Sequence, residues 1–442
     1  MNALPKLIRE AAEPLTGSRR DYDPLLDLVG DARLVLLGEA THGTHEFYRA
    51  RAEITKRLIL EKGFCAVALE ADWPDSYRVN QFVRGAGEDP NATAALAGFQ
   101  RFPQWMWRNA DVLDFVGWLR ELNDARNEEQ KVGFYGLDLY SLRSSIEAVV
   151  GYLAKIDPAS ARRARKRYGC FDHFGSDTQN YGLATGLGMR RTCEEDVIHE
   201  LVDLRLREFD YLQHDGQIAA DEFYCAEQNA IVVKNAERYY RTMFHGEVSS
   251  WNLRDRHMMD TLIGLVSHLE QFSNPAKIVV WAHNSHVGNA LATEMSDRGE
   301  FSLGQLARDR FVHDAVLIGF TTYSGTVTAA CDWDEPAQRK QIRPAVPESY
   351  EMVFHLTEQP RFWLEFLKNP EVAFNLRAER LQRAIGVIYR PETELTSHYF
   401  NARLPDQFDA VLHFDCTRAV EPLERTPRWK RREVEETYPT GI

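Results

Sequence analysis

Seven short apolar runs, most of them rich in β-branched residues, recur along the chain, and much of what lies between them has helical spacing. The runs are RLVLL (33–37), CAVAL (65–69), KVGFYG (131–136), KIVVWA (277–282), AVLIGF (315–320), AIGVIY (384–389) and AVLHFD (410–415). Continuous rather than alternating apolar runs belong to strands covered on both faces. Helical patterns occupy roughly 44–62, 73–85, 107–126, 141–155, 190–214, 218–243 and 252–272. Such alternation predicts an α/β fold with a central, largely parallel sheet flanked by helices. From about 141 to 274 the strand pattern disappears, which predicts a helical insertion or subdomain over the sheet, within one domain spanning 1–442. The stretch FGSDTQNYGLATGLG (174–188) reads as a loop able to line a cleft, and the charged tail ERTPRWKRREVEETYPTGI as loosely held.

A net charge of −13 argues against a nucleic-acid partner, which would need a basic face. The six cysteines are scattered without a CxxC pair, so they read as reduced, packed thiols in a cytoplasm. MNALPKLIREAAEPL has charges where a signal peptide would have its apolar stretch. No run is long and apolar enough for a membrane span. The expectation is a soluble, cytoplasmic protein with no membrane or nucleic-acid partner; oligomeric state is not readable.

Polar residues concentrate where the first four of these strands end. RLVLL runs into GEATHGT (38–44), placing Glu39 and His42 three residues apart, and CAVAL ends at Glu70 and Asp72. KVGFYG leads to Asp138, and KIVVWA to His283, Ser285 and His286. Ligands of open α/β sheets bind outside the carboxyl ends of strands. Histidine is suited to proton transfer near neutral pH, and a carboxylate on its second nitrogen fixes the tautomer. Glu39 or Glu70 is placed to do this for His42. Gly38 and Gly43 would let backbone approach a substrate, and Asp138 either helps to bind it or caps the following helix.

Other chemistries find less support. There is no P-loop, no GxGxxG after a strand and no HExxH. HNSHVG (283–288) has Gly288 in place for a G-x-S-x-G elbow, but His283 stands where the first glycine belongs, which disfavours Ser285 as nucleophile. His42, His45, His283, His286 and the two glutamates have the chemistry to hold a divalent metal, yet no spacing demands one.

LLGEATHGTHEFYRARAEITKRLI and FCAVALEADWPDSYRVNQFVRG together resemble the erythromycin esterase family. The likeness continues through WMWRNADVLDFVGWLRELN, VGFYGLDLYS, LRDRHMMDTLIGLV, IVVWAHNSHVGNA and FDAVLHFD. It implies a sheet with flanking helices, a deep cleft and a helical embellishment. It also implies hydrolysis of an ester, in the best-known members the macrolactone of macrolides such as erythromycin, a resistance activity. By resemblance the essential histidine matches His42 and its motif glutamate Glu39. The arginine of the next helix matches Arg51, the glutamate ending the second strand Glu70, and the HNxH histidines His283 and His286. His45 is an extra imidazole in that motif. The leading expectation is a metal-independent, cofactor-free esterase. His42 activates water with help from Glu39 or Glu70, while Arg51 and one of His283 or His286 stabilise the oxyanion or protonate the leaving group. The rivals are a metal-dependent hydrolase using the same histidines and a small-molecule-binding protein without turnover.

Overall fold

The computed structural model describes residues 3–174, 181, 183–185, 191–212, 216–243, 247–273 and 275–430. Its strands are β1 (Glu13–Pro14), β2 (Leu34–Leu37), β3 (Ala66–Asp72), β4 (Gly133–Asp138), β5 (Ile278–Trp281) and β6 (Ala315–Ala329). They are followed by β7 (Gln338–Ile342), β8 (Arg361–Glu365), β9 (Arg380–Arg383), β10 (Tyr399–Ala402) and β11 (Ala410–Thr417). One sheet runs in the order β1-β8-β11-β6-β2-β5-β3-β4, with β7 on the far half of β6, and β9 and β10 pair separately. From β11 across to β4 every pairing is parallel; β8, β1 and β7 join antiparallel. The fold is the expected α/β type.

The continuous apolar strands are explained by cover on both faces. Alternate residues of a strand point to opposite sides. Val35, Leu37, Val67, Leu69 and Val279 pack with Phe47, Ile54, Phe115 and Leu119, from the helices His45–Lys62 and Ala110–Asp124. Leu34, Leu36, Ala66, Ile278 and Val280 pack with Met258, Met259 and Leu262 of the helix Glu247–Leu269. Each fully buried aliphatic side chain of this kind is worth roughly 1.5–3 kcal/mol.

Register positions the strand ends. Leu37 lies opposite both Trp281 and Ile318, and Leu69 opposite Trp281. β5 inserts between β2 and β3 although it follows them by a long stretch of chain. The loop carrying His283 therefore emerges between the loop carrying Glu39 and the end of β3 that carries Glu70.

The run AIGVIY is not a strand of the sheet. Its backbone is used to hold the loop after β2: Ile385 N–H donates to Ala40 O (2.8 Å), and His42 N–H donates to Ile385 O (3.2 Å). Conversely, β7, β8, β9 and β10 (QRKQI, RFWLE, RLQR, YFNA) carry polar or charged residues and give no apolar run to find.

Between Leu139 and Lys277 the described residues form helices and turns and no strand. The helices Leu142–Ile156, Pro158–Tyr168, Glu194–Leu206 and Gly216–Thr242 share a core of their own, including Val149, Leu153, Leu201, Phe223 and Val233. Cys170 and Cys193 are disulfide-bonded there, with Cα atoms 5.9 Å apart. That corrects the expectation of six reduced thiols: packing brings the two together across 23 residues, a spacing without a sequence signature. The inference from free thiols to a cytoplasm lapses with it. Most of the glycine-rich stretch 174–188, and the tail from 431, lie outside the described residues. Among those residues no helix is long and apolar enough to cross a membrane.

Candidate active site

The first cluster is local in sequence. β2 ends at Leu37, and the loop that follows returns Glu39 toward His42: Nδ1 of His42 lies 2.8 Å from Glu39 Oε1. The other carboxylate oxygen meets Arg51 Nη2 at 2.7 Å. Arg51, on the second turn of the helix His45–Lys62, is fully buried. Its guanidinium lies over Tyr48 (4.5 Å) and Trp281 (5.1 Å), so aromatic faces share in compensating the charge. Tyr48 Oη donates to His42 O at 2.9 Å, fixing the backbone beneath the imidazole. With Nδ1 turned to Glu39, Nε2 makes no hydrogen bond among the described residues.

Glu70 begins the second cluster. Its Oε2 accepts the backbone N–H of His283 (2.9 Å), and Oε1 accepts from Arg254 Nη2 (2.6 Å). Arg254 also donates from Nε and Nη2 to both oxygens of Asp138 (3.0 and 2.7 Å) and approaches His286 Nε2 with Nη1 (2.9 Å). On its far side His286 presents Nδ1 to both oxygens of Asp255 (3.0 and 2.9 Å). Burial works against charge throughout this cluster. His286 and Arg254 nevertheless hold Glu70 well below the usual carboxylate range, and Arg254 lowers Asp138. For His286, Asp255 and Glu70 outweigh burial and raise its pKa.

His283 stands between the clusters, its ring centroid 4.9 Å from that of His42. Burial and the neighbouring His42 push its pKa well below the ordinary imidazole value, so the ring is neutral. Nδ1 accepts from the N–H of Ser285 (3.3 Å) and lies 2.8 Å from its Oγ. The ring proton therefore belongs on Nε2, a buried atom with no well-aligned partner among the described residues.

Other expected residues have different surroundings. His45 Nδ1 pairs with Asp111 Oδ2 at 2.8 Å, away from His42. Asp138 is no helix cap: the helix begins at Leu142 with Ser141 at its N-cap, and both Asp138 oxygens engage Arg254. Gly38 and Gly43 have packing reasons. A Cβ would stand 2.1 Å from Asn284 Oδ1 at the first and 1.8 Å from Thr328 O at the second. Among the described residues no group of His, Cys, Asp or Glu side chains is arranged to hold a metal. A guanidinium already occupies the space between Glu70, Asp138 and His286, so this donor set does not fit one.

Sequence reading missed Arg254, Asp255 and Trp251, which stacks on His286 at 4.4 Å and 7°. All three lie on the helix Glu247–Leu269. The only signal was their place in or beside LRDRHMMD, a segment carrying the family likeness without an obvious strand-end position.

Residues 59–417 match the family model described as erythromycin esterase. Erythromycin esterase type II of Escherichia coli is 23% identical over 340 residues, covering 70% of this chain and 73% of that protein. Among solved structures, a Bacillus cereus protein superposes with a TM-score of 0.78 at 22% identity, covering 96% of this chain and 99% of its own. A mutant of the erythromycin esterase EreC in its open conformation gives a TM-score of 0.62 at 18% identity, covering 90% and 94%.

Proposed function

Because the chain belongs to the erythromycin esterase family, we propose that it hydrolyses a carboxylic ester or macrolactone by direct attack of an activated water. The observation that carries this reading is the His42 relay. Nδ1 is bonded to Glu39, Glu39 is anchored by buried Arg51, and Nε2 is left to take a proton. Proton transfer to Nε2 creates an imidazolium whose charge Glu39 offsets. Arg51 acts through Glu39; fully buried behind it, this side chain is not exposed to a substrate.

The tetrahedral oxyanion then needs donors aimed at it in a water-poor site. His283 Nε2–H is one, beside the base and held only by a poorly aligned contact with the Ala40 carbonyl, and Arg254 is the other. No serine needs to be acylated. Glu70 serves by aligning both donors, since it receives the His283 backbone N–H and Arg254 on its two oxygens. Macrolide lactones are the first substrate class to test, given the named activity of the E. coli relative. We propose no cofactor.

Incubating erythromycin, other lactones and simple esters with wild type and His42→Ala, with products read by mass spectrometry, tests the reading. A gain of one water that the variant fails to produce supports it. A hydrolysis that survives the substitution, or a covalent acyl-enzyme on Ser285, overturns it.

A further inference from the structure

His286 lies in the same HNSH segment as His283, yet its surroundings leave it no freedom to react. Asp255 receives Nδ1, Arg254 Nη1 approaches Nε2 at 2.9 Å, and Trp251 covers one ring face at 4.4 Å. Asp255 and Glu70, whose Oε1 stands 3.5 Å from Nε2, favour the protonated ring. An imidazolium, however, would set its Nε2–H against the N–H of Arg254 Nη1, 2.9 Å away. The form that fits this contact is neutral, with one N–H and one acceptor nitrogen. A guanidinium only donates, so Nε2 must be the acceptor and Nδ1 must carry the proton toward Asp255. The exposures are ordered accordingly: side-chain accessibility is 14% for Arg254, 3% for His286 and zero for Asp255. Arg254 is the most exposed of the three, and the other two stand behind it.

We infer that Asp255 is a positioning residue that acts through His286. It selects the Nδ1–H tautomer, and the Nε2 lone pair then orients Arg254 between Glu70 and Asp138 to meet the oxyanion. This rests on the esterase reading for its kinetic consequence but not for its structural one.

Asp255→Asn is the informative change, for a reason in the hydrogen bonds. Asp255 Oδ1 also accepts the backbone N–H of Leu303 at 2.7 Å. In the variant the amide oxygen keeps that bond, which turns the NH2 group toward Nδ1. The NH2 group, at the Oδ2 position 2.9 Å from Nδ1, then favours an Nδ1 that accepts and a proton on Nε2, against Arg254. A wrong-tautomer substitution of this type in a serine protease costs about 10⁴-fold in kcat with geometry intact.

The test has two readouts. In wild-type protein labelled at histidine with ¹⁵N, a long-range ¹H–¹⁵N spectrum, assigned by comparison with His286→Gln, is expected to show the Nδ1–H form at neutral pH. Asp255→Asn is expected to show the Nε2–H form. On an ester that wild type cleaves, Asp255→Asn lowers kcat by about 100-fold or more, on the scale of that precedent, while KM stays within about threefold. A relay also predicts non-additivity: Asp255→Asn combined with His286→Gln is no slower than His286→Gln alone. An imidazolium or Nε2–H form in wild type overturns the inference whatever the activity. Multiplying effects in the double variant also overturn it. A wild type that cleaves no ester overturns the functional reading instead, and the tautomer measurement still decides the relay.

Discussion

The two imidazole–carboxylate pairs of this site share their chemistry and differ in how the fold builds them. His42 and Glu39 stand three residues apart on one loop, and the pair leaves Nε2 without a hydrogen bond among the described residues. His286 and Asp255 come from separate elements, and the ring is engaged at both nitrogens and on one face. A histidine moves protons only if one nitrogen can change partner during the reaction. The first pair is built for that exchange, and the second for holding an arginine still. Two histidines of similar motif context thus have separate work, set by what occupies the second nitrogen.

The largest expected effect tests that asymmetry directly. His42→Asn should slow ester hydrolysis by about 10²- to 10⁴-fold, the range of general-base catalysis. His45→Ala should leave turnover within about threefold, because its partner is Asp111. Equal losses in both would erase the distinction between a working and a structural imidazole. Stability provides the next contrast. Glu39→Gln leaves Arg51 buried without its counter-charge, and a broken buried pair costs about 3–5 kcal/mol in denaturant unfolding. A loss under about 1 kcal/mol would mean that Tyr48 and Trp281 alone compensate the guanidinium.

Acid should loosen the second cluster through its helix. His257, one turn from Arg254 and buried, hydrogen-bonds to Asn235, and burial pushes its pKa down to about 4. The unfolded ring binds its proton near pH 6.5, so between there and about pH 4 the unfolded state holds more protons. Stability is therefore complete above that window and falls as pH drops through it, by about 3 kcal/mol. Unfolding free energies of wild type and His257→Gln at pH 7 and 4.5 check this; parallel losses would clear His257 of the effect. The smallest change is expected from Ser285→Ala, less than about fivefold in kcat, since Ser285 supports the His283 ring rather than attacking substrate. Abolished activity there would replace the water mechanism with a serine one.

Much of the architecture was legible because burial on both faces leaves a mark in the sequence. β2, β3, β5 and β11 read as unbroken apolar runs, and polar residues mark the ends of β2, β3, β4 and β5. β7 and β9 left no such mark: β7 mixes buried with exposed positions, and the fully buried positions of β9 are the polar Gln382 and Arg383. AIGVIY misled for the complementary reason: an apolar segment can be buried through isolated pairings, here with the loop that carries His42 and with Ala330.

Within the site, the Glu39–His42 pair was determined locally, by a short loop after a buried strand. Arg51 was recognised only by family likeness, since Arg49 and Arg57 are equally near in sequence. The roles of Arg254, Asp255 and Asp138 were decided by tertiary structure alone. They arise where the helix Glu247–Leu269 crosses strand ends placed side by side by an out-of-order sheet. Chain chemistry states which residues are able to ionise or donate. Only packing decides which nitrogen of a histidine is already taken, because that depends on neighbours from elements distant in sequence.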